Sequence, residues 1–139
     1  VNKTLAEITT EHGFAVLEHL EAEAQVPVLP GLQAQGDLFV IPQATRGRHA
    51  TDHAKEVPPA GIPVIEAVGT GHEHRLFAGQ PGTAWWTPAA SSTQDIGVLE
   101  CAEPAYLLHP EHGATGIAPG AYVLRRQREQ ADEERLVAD

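Results

Sequence analysis

The spacing of apolar and polar positions changes rhythm once along the chain. From Thr4 to about Ala24, the stretch TLAEITTEHGFAVLEHLEAEA puts Leu5, Ile8, Val16, Leu17 and Leu20 at roughly helical intervals, with Glu7, Glu11, Glu18, Glu21 and Glu23 on other faces. Thr4 followed three positions later by Glu7 matches a capping box, in which hydroxyl and carboxylate each satisfy an orphan amide at a helix start. The pattern predicts one helix, or two short ones divided at Gly13, a residue that costs a helix interior about 1 kcal/mol relative to Ala.

After Gln25 the apolar stretches become short, and Pro and Gly recur every few residues, 11 and 13 in the chain as a whole. This rhythm is all-β. It predicts strands at Val26–Leu29, Asp37–Pro42, Pro63–Val68, His72–Ala78, Thr83–Thr87, Ile96–Cys101, Ala105–His109 and Ala121–Arg126. Turn signals separate them at Pro30-Gly31, Gln35-Gly36, Gly69-Thr70-Gly71, Pro81-Gly82 and Pro119-Gly120. The polar stretch Gln43–Pro59 has no clean period and reads as a long surface loop. Short strands without intervening helices predict a mainly β domain, a small barrel or a two-sheet sandwich, with the N-terminal helix over an open end or edge. The divisions are a helical segment over 1–24, a β domain over 25–128 and an acidic tail over 129–139, in which Leu136 and Val137 suit an anchor on a partner subunit.

Composition narrows the functions. At 139 residues the chain is expected to form one domain, and 42% hydrophobic against 20% charged residues supplies a core. A formal charge of −10 argues against nucleic acid and anionic membrane surfaces as partners. Cys101 is the single cysteine, no secretory signal pattern opens the sequence, and no apolar run is long enough for a bilayer, so a soluble cytoplasmic protein is expected. A glycine-rich phosphate loop, a GxSxG elbow and a CxxC pair are all missing, which leaves nucleotide hydrolysis and nucleophilic catalysis without support.

Eight histidines are the unusual feature, and half of them fall in two tetrapeptides. In Gly71-His72-Glu73-His74, an extended strand directs His72 and His74 to one side and Glu73 to the other. In His109-Pro110-Glu111-His112, the proline bend can turn both imidazoles toward a common point. Four imidazoles in two pairs are an adequate ligand set for a divalent metal, zinc first, with Glu111 or Glu73 as an oxygen ligand or proton relay. The alternative is a metal-free cluster whose rings bond backbone and one another. His12 and His19, seven apart on the helix, and His49 and His53, four apart in the loop, read as exposed pairs without a ligand role.

From GHEHRL through LLHPEHGATGIAPGAYVLRRQRE to RLVAD, the C-terminal half resembles a group of small uncharacterised bacterial and phage-associated β-proteins. These carry HxH, HPEH, PGxY, QRE and RxVAD motifs; no activity is attached to the group, and the resemblance implies a shared fold. The HxH after glycine is also similar to the first motif of the cupin barrels, although the next carboxylate is Asp95 and Ala121 follows the Pro119-Gly120 turn, where the second cupin motif has a histidine. Trp85 and Trp86 should face opposite sides of a strand, one in the core and one available as an interface anchor. Arg125, Arg126 and Arg128 form the basic cluster, suited first to local carboxylates such as Glu129, Glu133 or Glu134 and next to a subunit contact. Cys101 reads as a small core residue.

Two functional readings result. The first is a non-catalytic binding and self-assembly module, a structural homo-oligomer in which a histidine cluster fixes a loop or a metal. The second is a metal-dependent enzyme on a cupin-like barrel, with His72, His74, His109 and His112 as ligands and Glu111 as acid/base. An open pocket at the cluster would favour the enzyme, and a closed, buried cluster the module.

Overall fold

The structure, a computed structural model, describes residues 2–17, 20–43, 54–65, 73–89 and 95–126. At the N-terminus the capping box forms as its spacing requires: the Glu7 amide donates to Thr4 Oγ1 at 3.1 Å and the Thr4 amide to Glu7 Oε1 at 2.8 Å. Two further orphan donors of the first turn, the amides of Leu5 and Ala6, reach back to the carbonyls of Ala24 and Ala22 at 2.9 and 2.8 Å. The helix α1 spans only Leu5–His12. Gly13 adopts φ +63° and donates to the carbonyls of Thr9 and Thr10, a left-handed C-terminal cap that ends the helix where a periodic reading would carry it on to Ala24. Because α1 ends at His12, it does not carry the expected His12–His19 face; His19 lies outside the described residues.

Among the described residues eleven strands follow: β1 (Val28–Leu29), β2 (Gln33–Gln35), β3 (Leu38–Pro42), β4 (Lys55–Glu56), β5 (Ile62–Ile65), β6 (His74–Ala78), β7 (Ala84–Pro88), β8 (Asp95–Cys101), β9 (Ala105–His109), β10 (Gly113–Ile117) and β11 (Gly120–Arg126). They form two sheets, in the orders β1-β10-β9-β6-β5 and β2-β3-β11-β8-β7-β4. All pairs are antiparallel except β1 with β10. Among the described residues the two sheets do not close into a barrel, so of the two expected architectures the two-sheet sandwich fits. Each of the eight expected strands has a counterpart. The pattern missed β2, β4 and β10, two of them polar (QAQ, KE) and one interrupted by glycine (GATGI), which carry little strand signal of their own. Within the expected Gln43–Pro59 loop, Lys55–Glu56 pairs with Trp86 and Trp85 of β7; residues 44–53, with His49 and His53, are outside the described residues.

Alternation along the strands divides the apolar residues between two cores. Leu38, Val40, Leu99, Tyr122 and Leu124 of the six-stranded sheet meet Val64, Leu76, Leu107 and Ile117 of the five-stranded one. On the outer face of the five-stranded sheet, Phe77, Tyr106 and Leu108 pack against Leu5 and Ile8 of α1 and against Val26. The odd positions of β9 (Ala105, Leu107, His109) and the even ones of β6 (His74, Leu76, Ala78) therefore look into the sandwich. As expected, the two tryptophans part company: Trp86 is in the core at 8% exposure, and Trp85 is outside at 37%. Cys101 is buried in the same core.

Trp86 needs Gly97. A Cβ built on Gly97 would stand 2.4 Å from Trp86 Cζ2 and 2.6 Å from the Thr87 carbonyl oxygen, far inside contact distance. The substitution Gly97→Ala is expected to destabilise the domain by about 1–3 kcal/mol, the usual range for overpacking a filled core. Urea denaturation checks this, and an unchanged midpoint would show that the indole is free to move aside.

Candidate functional site

At one end of the sandwich, the inward-facing stripes of β6 and β9 finish in histidine. The antiparallel register that pairs Arg75 with Leu108 brings His74 opposite His109. Directly after His109 the chain turns through Pro110, Glu111 and His112 and re-enters β10 at Gly113, which pairs with His109 and has φ +80°. Proline and the left-handed glycine thus fold His112 back over the same end. The ring centroids of His74 and His109 are 4.4 Å apart, those of His109 and His112 4.5 Å, and those of His74 and His112 6.4 Å. Three of the four expected imidazoles are therefore together; His72 lies outside the described residues.

The other sheet covers them. β2 and β3 are joined by a two-residue turn, Gly36–Asp37, with Gly36 at φ +61°. A Cβ on Gly36 would lie 3.0 Å from His112 Nε2 and 3.6 Å from His74 Cε1, so the turn rests its bare backbone against the rings. Beside it, the buried Gln35 side chain crosses to the five-stranded sheet. Its Nε2 donates to the Leu107 carbonyl at 2.8 Å and to Thr115 Oγ1 at 3.0 Å, and its Oε1 is 2.9 Å from His74 Nδ1. The Leu107 carbonyl can only accept, which fixes the amide end of Gln35 and leaves Oε1 to accept from His74. His74 therefore carries its proton on Nδ1 and keeps the Nε2 lone pair.

His109 has the opposite tautomer. The amides of Glu111 and His112 both approach its Nδ1, at 3.0 and 3.3 Å. Amides can only donate, so Nδ1 holds the lone pair and Nε2 the proton. This side chain acts as a clasp for the turn. His74 and His109 are 4% and 5% exposed, whereas Glu111 and His112 face solvent. One donor atom each from His109, Glu111 and His112 lies within 4.8 Å of the others, a group that could hold a metal ion. Because the His109 Nδ1 lone pair is engaged by the turn, Glu111 and His112 supply the outward donors.

Burial, then the neighbouring His109, His112 and Arg126, push His74 down to about 4, against an opposing pull from Asp37. That carboxylate is 3.9 Å from His74 Nε2 through Oδ1, and its Oδ2 accepts from Arg126 Nε at 3.0 Å. Arg125 pairs with Asp95 at 2.6 Å. Among the described residues Arg125 and Arg126 thus pair with Asp95 of β8 and with Asp37 of the β2–β3 turn; the expected tail partners Glu129, Glu133 and Glu134, and Arg128, lie outside the described residues. On the β6 face turned away from the cluster, Glu73 pairs with Arg75 and is not drawn to the rings.

Gln35, Gly36, Asp37 and Thr115 escaped the sequence reading. Gln35-Gly36 was legible as a turn, but nothing in QAQ showed that the turn would lie over histidines 39 and more positions away. His12 sits elsewhere: its ring packs 4.5 Å from that of Phe77, its Nε2 is buried with no hydrogen-bond partner among the described residues, and burial lowers its basicity.

A stability profile follows from His74. Its folded-state value lies below that of an unfolded histidine, so the unfolded chain binds more protons between the two. The stabilisation is complete above about pH 6.5 and is lost as pH falls toward 4, on the order of 3 kcal/mol in all. Chemical denaturation at a series of pH values checks this: wild type should lose stability over that window and His74→Gln should lose much less, while identical slopes would contradict the assignment.

No helix among the described residues is long and apolar enough to cross a membrane. Comparison with curated proteins and with solved structures found no match. One family does match, over residues 34–127, a span that contains Gln35, Asp37, His74 and the whole His109–His112 turn and leaves out α1. The match covers well over half of the chain, which belongs to the family described as a domain of unknown function, DUF8820.

Proposed function

We propose that the protein is a non-catalytic binding module whose β9–β10 turn takes up a divalent metal ion, zinc in first place, through Glu111 and His112 with His109 behind them. The observation that carries this reading is the unequal exposure of the cluster. Its two inner imidazoles are sealed, and each has its Nδ1 committed, one to Gln35 and one to the turn amides. The donors that face solvent stand on a hairpin turn clasped from within. A catalytic metal needs an exchangeable position inside a cleft; a clasped turn at the end of a sandwich suits a structural or linking ion better. Mixed imidazole and carboxylate donors agree with zinc and neighbouring first-row ions rather than with calcium, which prefers oxygen alone.

Calorimetric titration of the full chain with zinc at neutral pH tests the reading. Binding is expected in the micromolar range, equivalent to about 8 kcal/mol, and His112→Ala or Glu111→Gln should weaken it by roughly tenfold or more. Heats no larger than dilution, or binding untouched by either substitution, would contradict it.

A further inference from the structure

We infer that the metal at the Glu111–His112 turn joins two copies of this chain. The inference rests on the metal reading above and adds its partner. One turn offers solvent an imidazole and a carboxylate, while the Nδ1 lone pair of His109 stays with the amides of Glu111 and His112. A closed zinc site takes four donors in a tetrahedron, so a single copy leaves the shell half made. A two-fold axis through the ion brings the same pair from a second copy and completes a set of two imidazoles and two carboxylates, with the same patch used on both sides.

Two features favour a second copy over solvent as the source of the missing donors, and a third makes the pairing depend on the ion. First, the donors are on the connection between two paired strands, β9 and β10, and are exposed there, so a second turn can approach without displacing either sheet. Second, an exposed apolar residue lies alongside: Leu17 is 38% exposed, and its amide donates to the Pro110 carbonyl at 2.9 Å, which ties its backbone to the turn. Third, each chain has a formal charge of −10, and pairing two of them sets Glu111 against its counterpart. Two like carboxylates across an interface are destabilising alone, and a dication between them reverses the sign. Association through this face is therefore conditional on the ion.

Sedimentation velocity of the full chain at micromolar concentration, at about pH 7.5 where histidine is neutral, tests the bridge with zinc and with a chelator. The chain is expected to be a monomer with chelator and a dimer with zinc, saturating at about half an ion per chain. Glu111→Gln, which preserves the size of the side chain, and His112→Ala, at an exposed position, should both abolish the dimer, and a circular dichroism spectrum matching wild type confirms that each is folded. The double substitution His49→Ala with His53→Ala, which removes a closely spaced histidine pair outside the cluster, should leave the dimer intact. Uptake of one zinc per chain without dimerisation would overturn the bridge and leave the metal reading standing. No uptake at all would overturn both. A dimer that survives chelator, survives the turn substitutions, or is lost with His49 and His53 would also overturn the bridge.

Discussion

One side chain ties the two sheets together where the histidines gather. Gln35 belongs to β2 of the six-stranded sheet, yet its carboxamide bonds to Leu107 of β9, Thr115 of β10 and His74 of β6, all in the other sheet. A buried amide with unmet donors and acceptor would cost about 1–3 kcal/mol for each group left unpaired; fully met, it specifies one arrangement of the strands around it. That single amide sets the tautomer of His74, and the tautomer decides which nitrogen keeps a lone pair. It also brings the Gly36–Asp37 turn down onto the rings, where glycine is required both by its φ and by the nearness of His112.

Roles within the cluster follow from these constraints and not from the number of histidines. His74 is held neutral by burial and by its cationic and imidazole neighbours, while the carboxylate closest to it is already paired with Arg126. His109 uses its Nδ1 to clasp the Pro110–His112 turn from inside. Closing the end of the sandwich in this way presents Glu111 and His112 outward on a stiff base. A rigid base matters for a site with few donors, since the ordering that binding would otherwise have to impose has been done by folding.

Much of this was legible from the amino acids alone. Pro and Gly spacing showed a β domain, the capping box placed the start of α1, and the HPEH turn pointed to paired imidazoles. Of the two helical readings, the one divided at Gly13 marks the end of α1, but the helical interval kept by Leu17 and Leu20 does not become a second helix among the described residues. Beyond α1, the backbone of Leu17 bonds to Pro110, a contact between segments far apart in sequence that no local period encodes. Gln35 was hidden for a related reason: its importance comes from a strand pairing with no apolar alternation of its own. The carboxylates chosen for the basic cluster, neighbours along the chain, lie outside the described residues; what local spacing could not show is that pairing across the sheet also gives Arg125 to Asp95 and Arg126 to Asp37.

The allocation of protons on the rings is the centre of this account, and nitrogen-detected NMR of the histidine side chains reads it directly. At neutral pH, His74 should show the Nδ1–H tautomer and His109 the Nε2–H tautomer, and added zinc should shift the His112 ring nitrogens while leaving the His109 tautomer in place. A His109 ring protonated on Nδ1, or a His74 ring protonated on Nε2, would contradict it.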